Sequence, residues 1–397
     1  MRELNPYKEA HMMKTSIIAS NHSNVNSFLV KKFNGKIHAK RLESLCDAVR
    51  GAMTSHSLQP SKIGDGLAES KGLLPKHARK QVDRLISNNA IDTNVFQREL
   101  CDLLIHNRSR IMVSMDWTVF AKDKHMTITL RLVTTHGRAT PLLWKTVEYK
   151  NLKGNKNKYV FEILSKLRAL ISKNCQVIIL ADREFGTIKS MERIKEKLDF
   201  DYILRIKRNF TVTDSKLIKK QAHEWLDPNK ATAIDDAKVT VKNYSVKKIV
   251  ICKEPGMKDL WCIACSIKNI ATQTVLNLYG KRWSIECSYR DEKDLYFGMG
   301  LKKARISKTE RRQRILLISA IIIVFLTLLG AASEAAGFDK YLKSNTVTRR
   351  THSLFTQGKL ILRLIKNMKE KWKKSITEYF LGYCQGLNNI SSDQYFV

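Results

Sequence analysis

The chain has 397 residues, and 71 Lys and Arg against 37 Asp and Glu give it a formal charge of +34. Hydrophobic residues at 43% and charged residues at 27% exclude a disordered or collagen-like chain, and the length allows two or three domains with a substantial core. A folded chain this basic calls for a polyanionic partner, nucleic acid before an anionic membrane surface.

The first residues, MRELNPYKEAHMMKTS, carry mixed charge and lack the apolar run of a secretory signal. Eight cysteines lie scattered along the chain, too sparse for a disulfide framework, so reduced thiols and a cytoplasmic, DNA-associated location are expected. Residues 1–106 read as helical and basic. Leu58–Ala68 and His77–Ser87 are short amphipathic stretches joined by a Gly-containing turn, with Lys76, Arg79, Lys80 and Arg84 on the second. That pattern fits a helix-turn-helix on DNA, and equally two packed helices with a solvated basic face.

From residue 107 the period changes. Arg110–Met115 is a short apolar run ending at Asp116; His125–Thr135 alternates, and Ala139–Tyr149 is another strand-like run, giving a three-stranded meander. Lys158–Lys173 has helical periodicity. Gln176–Ala181 (QVIILA) is continuously apolar, as expected of a central strand covered on both faces, and it ends at Asp182. A helix over Thr187–Lys197 and a strand over Asp201–Ile206 complete the order β-β-β-α-β-α-β. This order fits a ribonuclease H-like α/β fold, a mixed sheet whose first and fourth strands are neighbours, so that Asp116 and Asp182 would meet at one sheet edge.

Residues 207–268 read as a β-rich insertion, with strands over Lys238–Cys252 and Leu260–Ile267. Residues 269–340 return to the core with one long helix over Thr272–Tyr296, and 341–397 form a basic, helical C-terminal region suited to dimerisation. Ile315–Ala332 carries no charge over eighteen residues, at the lower edge for a membrane span of about 20. As the sole membrane feature it is read instead as a helix buried on all sides, with no membrane partner.

A carboxylate at the end of an apolar strand needs a cation, hydrogen bonds or water. Either Asp alone suits a turn cap; the pair on neighbouring strands suits ligands for a hard divalent ion. On the helix after the insertion, Tyr279, Arg282, Glu286 and Lys293 stand at i, i+3, i+7 and i+14, within about 60° of arc. An acid among cations on one stripe fits a metal ligand flanked by phosphate contacts, or a salt-bridged helix face. Cys262 and Cys265 form a CxxC, but a structural zinc needs a second pair that Cys252 and Cys287 do not supply.

The spacing Tyr279-x2-Arg282-x3-Glu286-x6-Lys293 resembles, without gaps, the YREK signature of bacterial insertion-sequence transposases of the DDE type, and within them the branch containing the transposon ten transposase. The resemblance extends to VSMDW at Asp116, ILADREFG at Asp182, GMGLKKARIS after Lys293 and KSNTVTRR near residue 346, most of the chain. Cys287 departs from relatives that often carry a second acid there.

The resemblance implies a cut-and-paste DNA transposase, with Asp116, Asp182 and Glu286 as catalytic triad and ligands of two Mg²⁺ (or Mn²⁺) ions, Asp116 bridging them. It implies a hairpin intermediate at the transposon end and joining to target DNA. Tyr279, Arg282 and Lys293 would anchor terminal phosphates, and Trp261 would stack on an unstacked base, unless it is merely a half-buried strand residue. Arg183 and Arg205, near the same strand ends, would contact DNA or simply be solvated. The implied partners are double-stranded DNA, as terminal inverted repeats and target, and a second copy of the chain when assembled on it. Two alternatives are a ribonuclease H-fold structure-specific nuclease and a non-catalytic basic DNA-binding protein.

Overall fold

The structure, a computed structural model, describes residues 26–106 and 108–389. The N-terminal stretch read above for a signal and the last residues of the basic C-terminal region lie outside them. The described chain falls into two compact units. One is helical and comprises the residues up to His106, Phe120–His125 and those from Ser288 onward; the other comprises the segment ending at Val119 and Met126–Cys287.

The helical unit begins with α1 (26–33), α2 (Ala39–Ser55), α3 (Pro60–Lys71), α4 (Pro75–Ser87) and α5 (Thr93–Ile105). Proline opens α3 and α4, where its missing N–H has no helical partner to lose. Between them Gly72 takes φ +66°, which an L side chain rarely adopts. Lys71 and Gln81 both donate to the buried Asp47 carboxylate on α2, at 2.6 and 3.3 Å, tying the three helices together.

The sheet unit holds ten strands: β1 (Arg110–Phe120), β2 (His125–Val133), β3 (Ala139–Glu148), β4 (Gln176–Ala181), β5 (Asp201–Arg205), β6 (Thr211–Thr213), β7 (Lys219–Gln221), β8 (Thr232–Val239), β9 (Tyr244–Cys252) and β10 (Trp261–Cys265). They form one mixed sheet in the order β3-β2-β1-β4-β5-β10-β9-β8-β6-β7. β1, β4 and β5 run parallel, and from β5 to β7 every pairing is antiparallel. Parallel neighbours need crossover connections. The helix α6 (Lys156–Leu170) precedes β4, and α7 (Ile188–Glu192), with a π-helical turn over Arg193–Lys197, leads into β5.

Three expectations change in detail. β1 does not stop before Asp116 but continues to Phe120, so Asp116 lies within a strand. The single strand expected over Lys238–Cys252 is a hairpin of β8 and β9, turned at Thr240 and Asn243, both at positive φ. The helix expected over Thr272–Tyr296 is α8 (Thr272–Gly280), a 3₁₀ turn at Lys281–Trp283 and α9 (Ser284–Lys293). Gly280, a weak helix former, sits at that break. The insertion's strands are not a separate sheet; they extend the main one through β10 on β5.

α8 lies on this sheet. Val275, Leu276 and Tyr279 join Ile203, Val250, Ile263 and Cys265 in a buried cluster, so the helix face that carries Tyr279 is fixed by the core.

The helical unit closes with α10 (Thr309–Ala335), α11 (Leu354–Leu364) and α12 (Glu370–Asn389). α10 contacts α2, α4, α5, α11 and α12, which accounts for its apolar character on every side. Among the described residues it is the one helix long and apolar enough to cross a membrane, and its apolar window is wholly buried. Gly330 on α10 and Gly358 on α11 let the two backbones touch, because a Cβ at either would strike a carbonyl of the other helix.

Candidate active site

Parallel pairing of β1 with β4 runs from Arg110 opposite Gln176 to Met115 opposite Ala181. Asp116, the next residue of β1, and Asp182, the first residue after β4, follow that last pair where the ladder ends. Adjacent strands lie about 4.8 Å apart, so two carboxylates placed this way share one local field. Each accepts the N–H of the residue after it: the Asp116 carboxylate that of Trp117 at 2.8 Å, within the strand, and the Asp182 carboxylate that of Arg183 at 2.7 Å, where the chain turns out of β4.

Asp116 is the strained group. Burial pushes its carboxyl up from 3.8 to about 6; the charges of Asp182 and Glu286 push the same way, while the Trp117 N–H and Arg282 oppose them. Asp116 therefore feels both other acids, and α9 delivers the third: Glu286 lies in its first turn, where the helix dipole favours a negative charge.

Two arginines stand among the acids. Arg282, in the 3₁₀ turn, donates to Glu286 Oε1 at 2.8 Å and hydrogen-bonds the Tyr279 hydroxyl. Burial pushes Tyr279 up to about 12, so its hydroxyl keeps its proton and remains able to donate. Arg205, at the end of β5, approaches Asp182 at 3.8 Å and Asp259 at 3.4 Å, and donates to the Leu260 carbonyl at 2.9 Å. Trp261, half-buried at the start of β10, meets the Tyr279 ring edge-on with centroids 4.9 Å apart. The loop after β4 is pressed onto β5: a Cβ on Gly186 would collide with the Arg205 carbonyl.

Asp116, Asp182, Glu286, Tyr279, Arg282, Arg205 and Trp261 are thus gathered in one unit. Lys293, at the C-terminal end of α9, belongs to the helical unit, with its ammonium 5.1 Å from both the Phe120 and Tyr289 rings. Arg183 is exposed and lines a cavity of about 780 Å³ with Arg205, Lys207, Arg208, His223 and Asp259. Lys207, Arg208 and His223 were not anticipated from sequence, although the run Arg205-Ile-Lys-Arg208 leaving β5 displays two of these charges openly.

Carboxylate oxygens are the donor type that a hard divalent ion selects. A cation beside Asp116 would also relieve the burial and like-charge repulsion that raise its pKa, so donor chemistry and charge fit the implied metal. The arrangement is not a closed cage: among the described residues, no three His, Cys, Asp or Glu side chains stand together as a metal site, and Glu286 is engaged by Arg282.

Residues 133–325 match the family model of the transposase DDE domain. The matched stretch includes Asp182 and Glu286 and begins after Asp116. No curated protein matches the chain. The match supports a DDE transposase, and with it an enzyme of the nuclease and transposase class that acts on DNA.

Proposed function

We propose that the chain is a cut-and-paste DNA transposase of the insertion-sequence type, with the YREK signature and the affinities of the transposon ten branch, built on a ribonuclease H-like core. The observation that carries this reading is the adjacency of Asp116 and Asp182 at the end of the β1–β4 ladder, with Glu286 acting on the same charge. The strand order β3-β2-β1-β4-β5 supports the fold assignment, and the domain match supports the activity.

In this reading Asp116, Asp182 and Glu286 hold Mg²⁺ or Mn²⁺. Such ions, when bound, activate the attacking oxygen and stabilise the leaving one in phosphoryl transfer. The protein residues supply position. Tyr279 and Arg282 offer a neutral and a charged donor from one helical segment, suited to a terminal phosphate, and Lys293 adds a further cation. Such contacts anchor the backbone without reading sequence. Trp261 offers a ring for a base that leaves the stack when a hairpin forms. Arg183 and Arg205, with Lys207 and Arg208, line a basic path for the strand. The reaction is a succession of phosphoryl transfers: water frees a 3′-hydroxyl, that hydroxyl attacks the opposite strand to close a hairpin, water reopens it, and the end joins target DNA. One set of acids serves each step.

The N-terminal helices are assigned to DNA binding, where Arg79 is held by Asp65 while Lys76, Lys80 and Arg84 remain exposed. The C-terminal helices are assigned to pairing two copies on DNA. The test is a joining assay: the full chain with Mg²⁺, a labelled duplex ending in the inverted repeats that flank its gene, and a second duplex. Covalent transfer of the labelled 3′ end to the second duplex is expected. Hydrolysis without transfer would make the protein a nuclease.

A further inference from the structure

Glu286 Oε1 is already held in an ion pair. A side chain assigned to the cation is engaged by a guanidinium, and the three acids do not stand together as a metal site. Arg282 is well placed to hold it. Its side chain is only 14% exposed, it bonds Glu286 Oε1 at 2.8 Å, and Asp182 and the Tyr279 hydroxyl are its other near neighbours.

The pair is built to be exchanged. Glu286 is 36% exposed, and it follows Arg282 at i+4, the weaker order for a helical ion pair. A guanidinium has five N–H donors in a planar fork, and a phosphate can take two of them at once. A DNA phosphate seated on Arg282 therefore competes directly with Glu286. Released, the carboxylate can share a cation with Asp116 and Asp182, which follow the last pair of the β1–β4 ladder.

Resting on the functional reading above, we infer that Arg282 is a latch on Glu286: without DNA it keeps the carboxylate out of the metal site, and an arriving DNA phosphate frees it, so DNA and divalent cation bind cooperatively. The coupling is reciprocal, as linkage requires. Arg282 is in this respect a positioning residue, acting on the cation through Glu286. The arrangement keeps the site from assembling a full ligand set on the wrong occasion, when no phosphodiester is in place.

The test is Mn²⁺ binding to the full-length protein without DNA, followed by the electron paramagnetic resonance of free Mn²⁺, for the wild type, Arg282→Gln, Glu286→Gln and the double variant. Loss of the latch tightens Mn²⁺ binding by roughly tenfold in Arg282→Gln, within the range of site-to-site coupling. That gain vanishes when Glu286→Gln is also present. An equal gain in the Glu286→Gln background would overturn the inference, since it would reduce Arg282 to a nearby positive charge. Arg282→Lys keeps the charge and loses the fork, so it tightens binding by a smaller, still Glu286-dependent factor; this arm decides the matter if Arg282→Gln does not fold. Asp116→Ala separates the two readings, because Mn²⁺ binding unaffected by it would contradict the site itself rather than the latch.

Discussion

Asp116 and Asp182 each directly follow the Met115–Ala181 step, the last register pair of a parallel ladder. Burial first, and then the charges of Asp182 and Glu286, hold the Asp116 carboxyl above its usual range. Its pKa moves from 3.8 to about 6, so the folded chain binds that proton more tightly than the unfolded chain does. The associated stabilisation is complete below about pH 4 and lost as pH rises through about 6. Asp116→Asn, neutral at every pH, should therefore stabilise the metal-free protein at pH 8 by about 1–3 kcal/mol. The gain should shrink toward zero as pH falls to about 4. Urea titrations across that range check it; an equal gain throughout would assign the effect to packing instead.

The close approach of Gly186 to the Arg205 carbonyl gives a second expectation. Alanine there forces the β4–α7 loop off the end of β5, which separates the elements bearing Asp182 and Arg205. Overpacking of this kind costs about 1–3 kcal/mol. Thermal unfolding should register that loss, and DNA cleavage should fall further than the loss of folded protein explains. Unchanged stability and cleavage would show that the loop yields freely.

In the helical unit, Arg312 is fully buried, ion-paired to Asp123, with its guanidinium 3.8 Å from the Phe120 ring centroid. Asp123 also accepts the Ile306 N–H at 3.2 Å. Removing the acid leaves a buried charge without its counter-ion, so Asp123→Ala should cost about 3–5 kcal/mol. Arg312→Met removes the charge and keeps an apolar stem over Phe120, and should cost clearly less. Equilibrium unfolding of the two variants gives the order; the reverse order would mean that the guanidinium's packing outweighs its charge.

His56, half-buried after α2 at φ +50°, has its pKa lowered from 6.5 to about 4, by burial first and then by the charges of Arg363, Lys359 and Lys366. The folded state resists protonation, so this contribution is full above about pH 6.5 and is lost as pH falls toward 4. His56→Asn tolerates the left-handed backbone and does not titrate. It should flatten the decline in stability between pH 6.5 and 4 by about 1–3 kcal/mol. An unchanged decline would place the acid sensitivity elsewhere.

Much of the sheet's centre was legible in the sequence, because a doubly covered parallel strand such as QVIILA has no polar alternation to confuse it. Asp182 stands out for the same reason, as the first polar residue after an apolar run. Asp116 was legible as a candidate but not as a mid-strand residue: Trp117 and Phe120 prolong the apolar pattern past it. The β8–β9 turn was hidden because Thr240 and Asn243 take positive φ without a glycine to announce it. Joining of the insertion's strands to the main sheet depends on pairings such as Ile263 with Arg205, between residues far apart in sequence, which no local pattern encodes. The stripe of Tyr279, Arg282 and Glu286 could be read from spacing; that Arg282 grips Glu286 needed side-chain geometry.

The central claim is that three acids distant in sequence act as one phosphoryl-transfer site. It is tested most directly by the cleavage rate of an inverted-repeat duplex, in Mg²⁺, for Asp116→Ala, Asp182→Ala, Glu286→Ala and the triple variant. Groups that act as a unit are strongly non-additive. Each single variant should lose cleavage by on the order of a thousandfold or more, and the triple variant should lose little beyond that. Cleavage that survives any one of the three substitutions at near wild-type rate, in folded protein, would contradict the account.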